Sequence, residues 1–328
     1  MPDTAPDIKA TAAAPDGSRP VVSVLVISYN TREMTLDCLC SLRDQTDTPH
    51  EVIVVDNNSS DGSAGAIAAE FPEIDLVARP DNLGFAGGNN LAATRARGTY
   101  ILLLNPDTVV LDHAIDRLVA FAERRPEAGI WGGRTVFADL SLNPACCWQR
   151  MTLWNTFCRT SGLTAIFRGS TLFNAEAYGD WQRDSERAVD IVQGSFFLIR
   201  RAFWNELGGF DPGFFMYGEE ADLCLRARAR GAQPRMTPEA QIVHYGGAAE
   251  KVRADRMVKL LAGKMGLINR HFPAWQKPLG RALFTAYPLT RMIATRTVGA
   301  VTGKPETRDS AATWTDIWAR RRDWKGGY

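Results

Sequence analysis

Residues 21–27 (VVSVLVI) form a short β-branched run with almost no polar alternation, which predicts a strand buried on both faces of a parallel sheet. Residues 31–42 follow with helical spacing, their apolar positions being Met34, Leu36, Leu39 and Leu42. A second buried strand is predicted over 51–55, ending in the dense turn signal Asp56-Asn57-Asn58-Ser59-Ser60-Asp61-Gly62. A helix then runs through Ala69, a short strand covers 75–78, a helix 87–96 and a fourth strand 100–104 (YILLL). This alternation predicts an α/β fold of the doubly wound kind, a mostly parallel sheet flanked by helices.

From 140 to 190 the periodicity breaks down, and an irregular insert or a set of short helices is expected there. The pattern resumes with a strand over 188–200, a short helix over 201–207, a helix over 219–231 and a last strand over 240–245. After Gly247 the chain reads as helical and basic, punctuated by Pro273, Pro278 and Pro288. The expected organisation is a disordered tail (1–20), an α/β unit (21–248) whose 140–190 insert could face an acceptor, and a helical C-terminal extension (249–328).

Composition changes this picture in one respect. The overall balance of 38 Lys and Arg against 37 Asp and Glu hides an asymmetry. Residues 251–328 hold 16 basic and 5 acidic side chains, and the remainder 22 and 32. The basic excess suits an anionic surface, a membrane or a nucleic acid, or else a solvated face. Nucleic acid is disfavoured because no recognised binding motif is present. Six cysteines include no C-x-x-C pair, which argues against a zinc ribbon. The Ala/Pro/Asp-rich N-terminus has no apolar h-region of a signal peptide, and no stretch of about 18 apolar residues predicts a transmembrane helix.

Ligands of doubly wound sheets bind beyond the carboxyl ends of the strands, where several polar clusters fall. Asp56 follows the second strand, and Asn105-Pro106-Asp107 the fourth. Either acid alone is an ordinary cap or turn former; the pair after neighbouring strands carries more. Asp107 is the best candidate for a Mg²⁺ or Mn²⁺ ligand, because hard carboxylate oxygens suit those ions. Residues 82–90 (NLGFAGGNN) open a helix with a Gly-rich turn, whose N–H groups could approach phosphates or form a plain loop. His244 follows the last strand. Glu219, Glu220 and Asp222 lie within four residues at a helix start. The helix dipole accounts for them there, and equally one of them could act as a general base.

Taken in order, these segments resemble family 2 glycosyltransferases with a GT-A fold, and most closely the bacterial rhamnosyltransferase-like branch. The matching stretches are 24–30, 54–63, 82–90, 103–108, 209–211, 214–223 and His244-Tyr245-Gly246-Gly247. The resemblance implies a GT-A catalytic domain, a Rossmann-like mostly parallel sheet, followed by the C-terminal helical extension. It places Tyr29, Asn30 and Asp56 in the nucleoside pocket. Arg79, Asn82, Gly84, Phe85, Gly88, Asn89 and Asn105 then hold the nucleotide diphosphate. Asn105-Pro106-Asp107 stands at the family's Asp-x-Asp motif, with Asp107 the main metal ligand and His244 the second. Glu220 stands where the family has its catalytic Asp, with Glu219 and Asp222 as alternatives.

The implied reaction is transfer of a sugar, with inversion, from a nucleoside diphosphate to an acceptor hydroxyl on a lipid-linked or cell-surface glycan. The branch suggests dTDP-L-rhamnose as donor, with UDP-galactofuranose or UDP-N-acetylglucosamine behind it. A non-catalytic nucleotide-sugar scaffold is the other alternative. A sugar nucleotidyltransferase is disfavoured, because Ser28-Tyr29-Asn30-Thr31-Arg32 after the first strand has no Gly. The resemblance implies a cytoplasmic enzyme. The basic tail, in which residues 281–303 mix apolar side chains with Arg281, Arg291 and Arg296 and Trp314, Trp318 and Trp324 follow, suits peripheral attachment to the inner face of the cytoplasmic membrane, or else helices packed on the catalytic domain.

Overall fold

The computed structural model describes residues 19–246 and 253–328. The N-terminal residues expected to form a tail, up to residue 18, and the Gly247 end of the last motif lie outside the described residues. The first half winds as the apolar runs predict. β1 (Val22–Ser28), α1 (Arg32–Asp44), β2 (His50–Asp56), α2 (Ser63–Glu70), β3 (Asp75–Ala78), α3 (Gly84–Arg95) and β4 (Tyr100–Leu104) build a parallel sheet in the order β3-β2-β1-β4. Alternate side chains of β1 feed two separate cores: Leu25 and Ile27 on one face, Val22, Val24 and Val26 on the other.

The sheet then becomes mixed. β5 (Thr108–Val110), the amphipathic α4 (Ala114–Arg124) and β6 (Ile130–Val136) occupy a stretch in which the apolar pattern had suggested no elements. β7 (Leu142–Asn143), β8 (Cys147–Trp148), α5 (Leu153–Ser161) and α6 (Leu163–Ile166) are the short elements of the irregular stretch. The single strand expected over 188–200 is instead β9 (Arg187–Ala188), β10 (Ile191–Val192) and β11 (Phe196–Arg200). β11 is antiparallel to both β4 and β6. α7 (Arg201–Leu207), α8 (Glu219–Ala229) and β12 (Arg235–His244) complete this part. β12 is parallel to β6 and antiparallel to β5. The result is a mostly parallel sheet covered by helices.

Four helices follow: α9 (Arg253–His271), α10 (Lys277–Thr302), α11 (Pro305–Ala319) and α12 (Arg321–Trp324). They form a third core from residues such as Val258, Met265, Phe284, Trp314 and Ile317. Trp324 is completely buried, and its indole donates to the Ile317 carbonyl (3.1 Å). Trp314 and Trp324 therefore hold the helices together and are not available to an interface. α9 packs on the α/β unit. Gly263 lies so close to the Tyr217 carbonyl that a Cβ would overlap it, and Gly266 faces the Phe214 ring. Among the described residues no helix is long and apolar enough to cross a membrane.

Candidate active site

Parallel register brings the ends of the first strands to one edge, with Ser28 opposite Asp56 and Asp56 opposite Ala78. The order reverses between β1 and β4, the place where such sheets open a crevice. Asp56 is buried there. One of its oxygens accepts from the Ser59 N–H (3.1 Å), while Oδ1 has no partner. Arg79 is held beside it, its N–H donating to the Asp56 carbonyl (2.9 Å) and its guanidinium pairing with Asp81 (2.6 Å). Tyr29 is exposed at the same edge. Asn30 instead clamps two loops: its Oδ1 accepts from the Ser60 N–H (2.8 Å) and its own N–H donates to Ser59 Oγ (2.9 Å).

The Gly-rich start of α3 is largely satisfied within the protein. Gly84 N–H donates to Asn82 Oδ1 (2.8 Å), and Phe85 N–H to the Phe215 carbonyl (3.0 Å). Gly84 has φ +70°, and a Cβ there would overlap the Phe215 carbonyl, so glycine is required by that contact. A Cβ on Gly88 would come 2.9 Å from Ile27 Cγ2, so this glycine lets α3 approach β1. Two N–H groups expected to cradle phosphate are thus already engaged. Asn57, which had gone unnoticed as a single residue, ties β2 to this turn by donating to the Gly84 carbonyl (3.0 Å). Asn89 is buried with its Oδ1 unpartnered, which leaves it an acceptor with nothing yet to bind.

Asn105, Asp107 and His244 converge because β5 and β12 pair with Thr108 opposite His244. His244 Nε2 lies 3.4 Å from Asp107 Oδ1 and 3.4 Å from Asn105 Nδ2. His244 Nδ1 and Asn105 Oδ1 are buried without partners. Burial acts to raise the pKa of Asp107, but contacts with His244 and with backbone N–H groups outweigh it and hold the carboxyl below its ordinary value. An anionic carboxylate, an imidazole and a free amide oxygen are a donor set that fits Mg²⁺ or Mn²⁺. Another trio, Asp47, His113 and Asp116, has ligand atoms within 4.8 Å of one another on the surface. Asp116 there accepts from the Thr48 hydroxyl and from the Asp47 and Thr48 N–H groups, so it clamps the loop after α1.

The three acids at the start of α8 fall into different environments. Asp222 is fully engaged, accepting from Arg226 Nε (2.7 Å) and paired with His271 Nε2 (2.7 Å) of α9. Burial works to raise its pKa, but these partners lower it overall. Glu219 is only 3% exposed, and its Oε2 has no partner. Burial first, then the Glu220 charge, push its pKa well above the ordinary carboxylate range. Glu220 is half-buried and also raised by loss of water, with the Lys264 ammonium opposing the rise. Lys264 on α9 is itself anchored by Glu176 (2.5 Å), which also takes Arg159 of α5 (2.6 Å). Lys264, Glu176, Arg159 and His271 had escaped the sequence reading, because no spacing rule links residues 17 to 88 positions apart.

The β10–β11 turn joins the two clusters. Asn105 N–H donates to the Ser195 carbonyl (3.1 Å), and a Cβ on neighbouring Gly194 would lie 3.7 Å from Glu220 Cβ. The model of glycosyl transferase family 2 matches residues 23–178, covering β1 through the Asn105–Asp107 segment and α6. The chain carries a family 2 glycosyltransferase domain over those residues. As a glycosyltransferase it is 27% identical over 277 residues to the N-acetylglucosaminyl-diphospho-decaprenol L-rhamnosyltransferase of Mycobacterium tuberculosis, covering 79% of this chain and 88% of that one. It is 24% identical to the rhamnosyltransferase WbbL of Escherichia coli, over 77% and 97% of the two chains. Its fold resembles that of the mannosyltransferase PcManGT from Pyrobaculum calidifontis, solved with GDP-Man and Mn²⁺. There the TM-score is 0.58 at 18% identity, over 96% of this chain and 91% of that one. This likeness and the topology identify a GT-A fold.

Proposed function

We propose that this glycosyltransferase moves L-rhamnose, with inversion, from dTDP-L-rhamnose to a hydroxyl of a saccharide carried on an isoprenoid diphosphate. The carrying observation is that Glu220 and the Asn105–Asp107–His244 cluster meet across the Gly194–Ser195 turn. That juxtaposition suits a base for the acceptor on one side and a holder for the donor diphosphate on the other. The rhamnosyl donor and the lipid-borne acceptor are taken from what the mycobacterial and E. coli relatives are named for. Under this reading the enzyme acts at the inner face of the cytoplasmic membrane.

The roles follow from what each side chain has free. Asp56 Oδ1 accepts from the ring N–H of the pyrimidine, Tyr29 covers the base, and Arg79 and Asn89 face the nucleotide. Asp107 and His244, with Asn105 Oδ1, would hold Mg²⁺ or Mn²⁺, which when bound neutralises charge on the departing diphosphate. Asp222 is excluded as base because its oxygens are committed. Glu219 is the more deeply buried and the more strongly pushed toward its neutral form, which leaves Glu220 as the carboxylate suited to act as base. Glu220 takes the acceptor hydroxyl proton as the acceptor oxygen bonds to the anomeric carbon. The bond from that carbon to the diphosphate oxygen breaks on the opposite face.

A thermal-shift panel of nucleotide sugars with and without Mn²⁺ tests the donor assignment. dTDP-L-rhamnose should stabilise the protein selectively and only with the ion, and Asp107→Ala should lose that response. Equal or larger stabilisation by a UDP-sugar would displace rhamnose from the reading.

A further inference from the structure

Many of the large exposed apolar side chains lie on α5, α6 and α10. Trp154 (44% exposed) and Phe157 project from α5, Ile166 (71%) and Phe167 end α6, and Leu172 follows. The aromatic rings are contiguous: Trp154 to Phe157 is 5.8 Å, Trp154 to Phe173 is 6.1 Å and Phe167 to Phe173 is 4.9 Å. α10 packs against α5. Thr160 Oγ1 donates to the Leu283 carbonyl (3.0 Å), and Thr290 Oγ1 donates to the Thr160 carbonyl (2.9 Å). Along α10, Ile293, Val298 and Val301 (81%) are exposed.

The charge of these two segments is one-sided. Residues 148–175 and 272–305 contain eight Arg and Lys and no Asp or Glu, in a chain with 37 acidic residues. Arg168, Arg281, Arg296 and Lys304 are exposed. Apolar and aromatic side chains on two segments that carry cations and no carboxylates match the interface of a bilayer with anionic headgroups. Tryptophan and phenylalanine settle at the headgroup boundary, and arginine stems reach past them to phosphate. A second copy of the chain fits poorly, because a symmetric contact would set this cationic surface against itself.

We propose that the α5–α6 hairpin and the outer face of α10 form a single membrane-docking surface for anionic lipid. This rests on the lipid-borne acceptor proposed above and names the part of the protein that meets the lipid. It keeps residues 281–303 from the sequence expectation, adds the α5–α6 hairpin, and removes Trp314 and Trp324, which are buried. The same hairpin reaches the catalytic region. Arg159, in the same helix as Trp154, pairs with Glu176, and Glu176 with Lys264 beside the Glu219–Glu220 loop. Docking would therefore orient the Glu220 side relative to the lipid.

Sedimentation of the full chain with vesicles of phosphatidylcholine alone, or mixed with phosphatidylglycerol, tests this. The wild type should bind the anionic vesicles about tenfold more than the neutral ones. W154S/F157S/F167S should fall to the neutral level while keeping the wild-type melting temperature. I293S/V301S, on the solvent side of α10, provides an independent second variant and should bind more weakly too. Undetectable or equal binding of the wild type to both vesicles overturns the proposal. So does anionic-vesicle binding that survives in both variants, or a concentration-dependent dimer that either variant abolishes in analytical ultracentrifugation. The thermal shift with dTDP-L-rhamnose and Mn²⁺ in the same variants reports separately on the donor reading. It should be unchanged from wild type whichever way the vesicles read.

Discussion

At the scale of single residues, three acids on one helical turn have been given three different fates by their neighbours. Asp222 is tied to Arg226 and His271, Glu219 is buried, and Glu220 is half-exposed beside Lys264. Glu220→Gln should lower kcat by about 100-fold or more, in line with loss of a general base, with the donor-induced thermal shift preserved. Glu219→Gln should keep most of the activity, since burial and the Glu220 charge both favour the neutral form of that side chain. The pH profile carries the sign. A base must be deprotonated to act, and Glu220 is raised, so kcat/KM should climb with pH through a midpoint above the ordinary glutamate value. Lys264→Met removes the positive charge that opposes the rise, so its midpoint should move higher still. A shift to lower pH would contradict the coupling. Asp107 and His244 are the matching case on the donor side, two residues of ordinary type whose meaning comes from standing 3.4 Å apart.

At the scale of elements, α9 behaves as part of the catalytic unit. Gly263 touches the backbone of Tyr217, which sits in a left-handed conformation (φ +70°) one residue before Gly218 (φ +107°) and two before Glu219. Gly263→Ala would force a methyl group into that carbonyl. It should lower stability by about 1–3 kcal/mol in urea unfolding and reduce kcat more than donor affinity. The Arg159–Glu176–Lys264 network joins α5 to α9. Burial acts to raise the pKa of Glu176, but Arg159 and Lys264 bring it down to about 2 from an ordinary 4.5. A depressed carboxylate contributes stability that is complete above its unfolded value and disappears as pH falls from 4.5 toward 2. Glu176→Gln leaves two cations facing each other and should cost about 3–5 kcal/mol near neutral pH. Thermal melts should show the difference from wild type narrowing below pH 4.5.

At the scale of the whole molecule, the C-terminal helices serve two surfaces. α9 covers the turn that leads into α8 and its proposed base, and α10 turns an apolar face outward. A chain ending at Gly246 would leave Asp222 without His271 and Glu176 without Lys264. It should melt at lower temperature than the full chain and lose transferase activity even toward a soluble acceptor. Full activity in that shortened protein would show that α9 is dispensable to the site.

The mostly parallel half of the sheet was legible because β1, β2 and β4 are buried on both faces, and β-branched apolar runs between turn signals report that burial locally. Asp56 and Asp107 stood out because strand ends are where such sheets place ligands. β5, α4 and β6 were not inferred, although α4 is strongly amphipathic. β9 to β11 ran together because their breaks are set by pairing with β12, β8 and β4 rather than by local turn residues. The Gly84 and Gly88 signal was real, but its cause is contact with Phe215 and Ile27, partners that only the folded chain supplies.

By itself, the sequence determined the winding of the first sheet, the family and the set of acids available for chemistry, because those depend on patterns a few residues long. The tertiary structure alone decided which acid is free, which tryptophans are core, and which face of the molecule remains apolar and uncovered. Each of those depends on solvent access and on tertiary partners, some brought from as far as 130 positions away, and such burial and pairing exist only once the chain has folded.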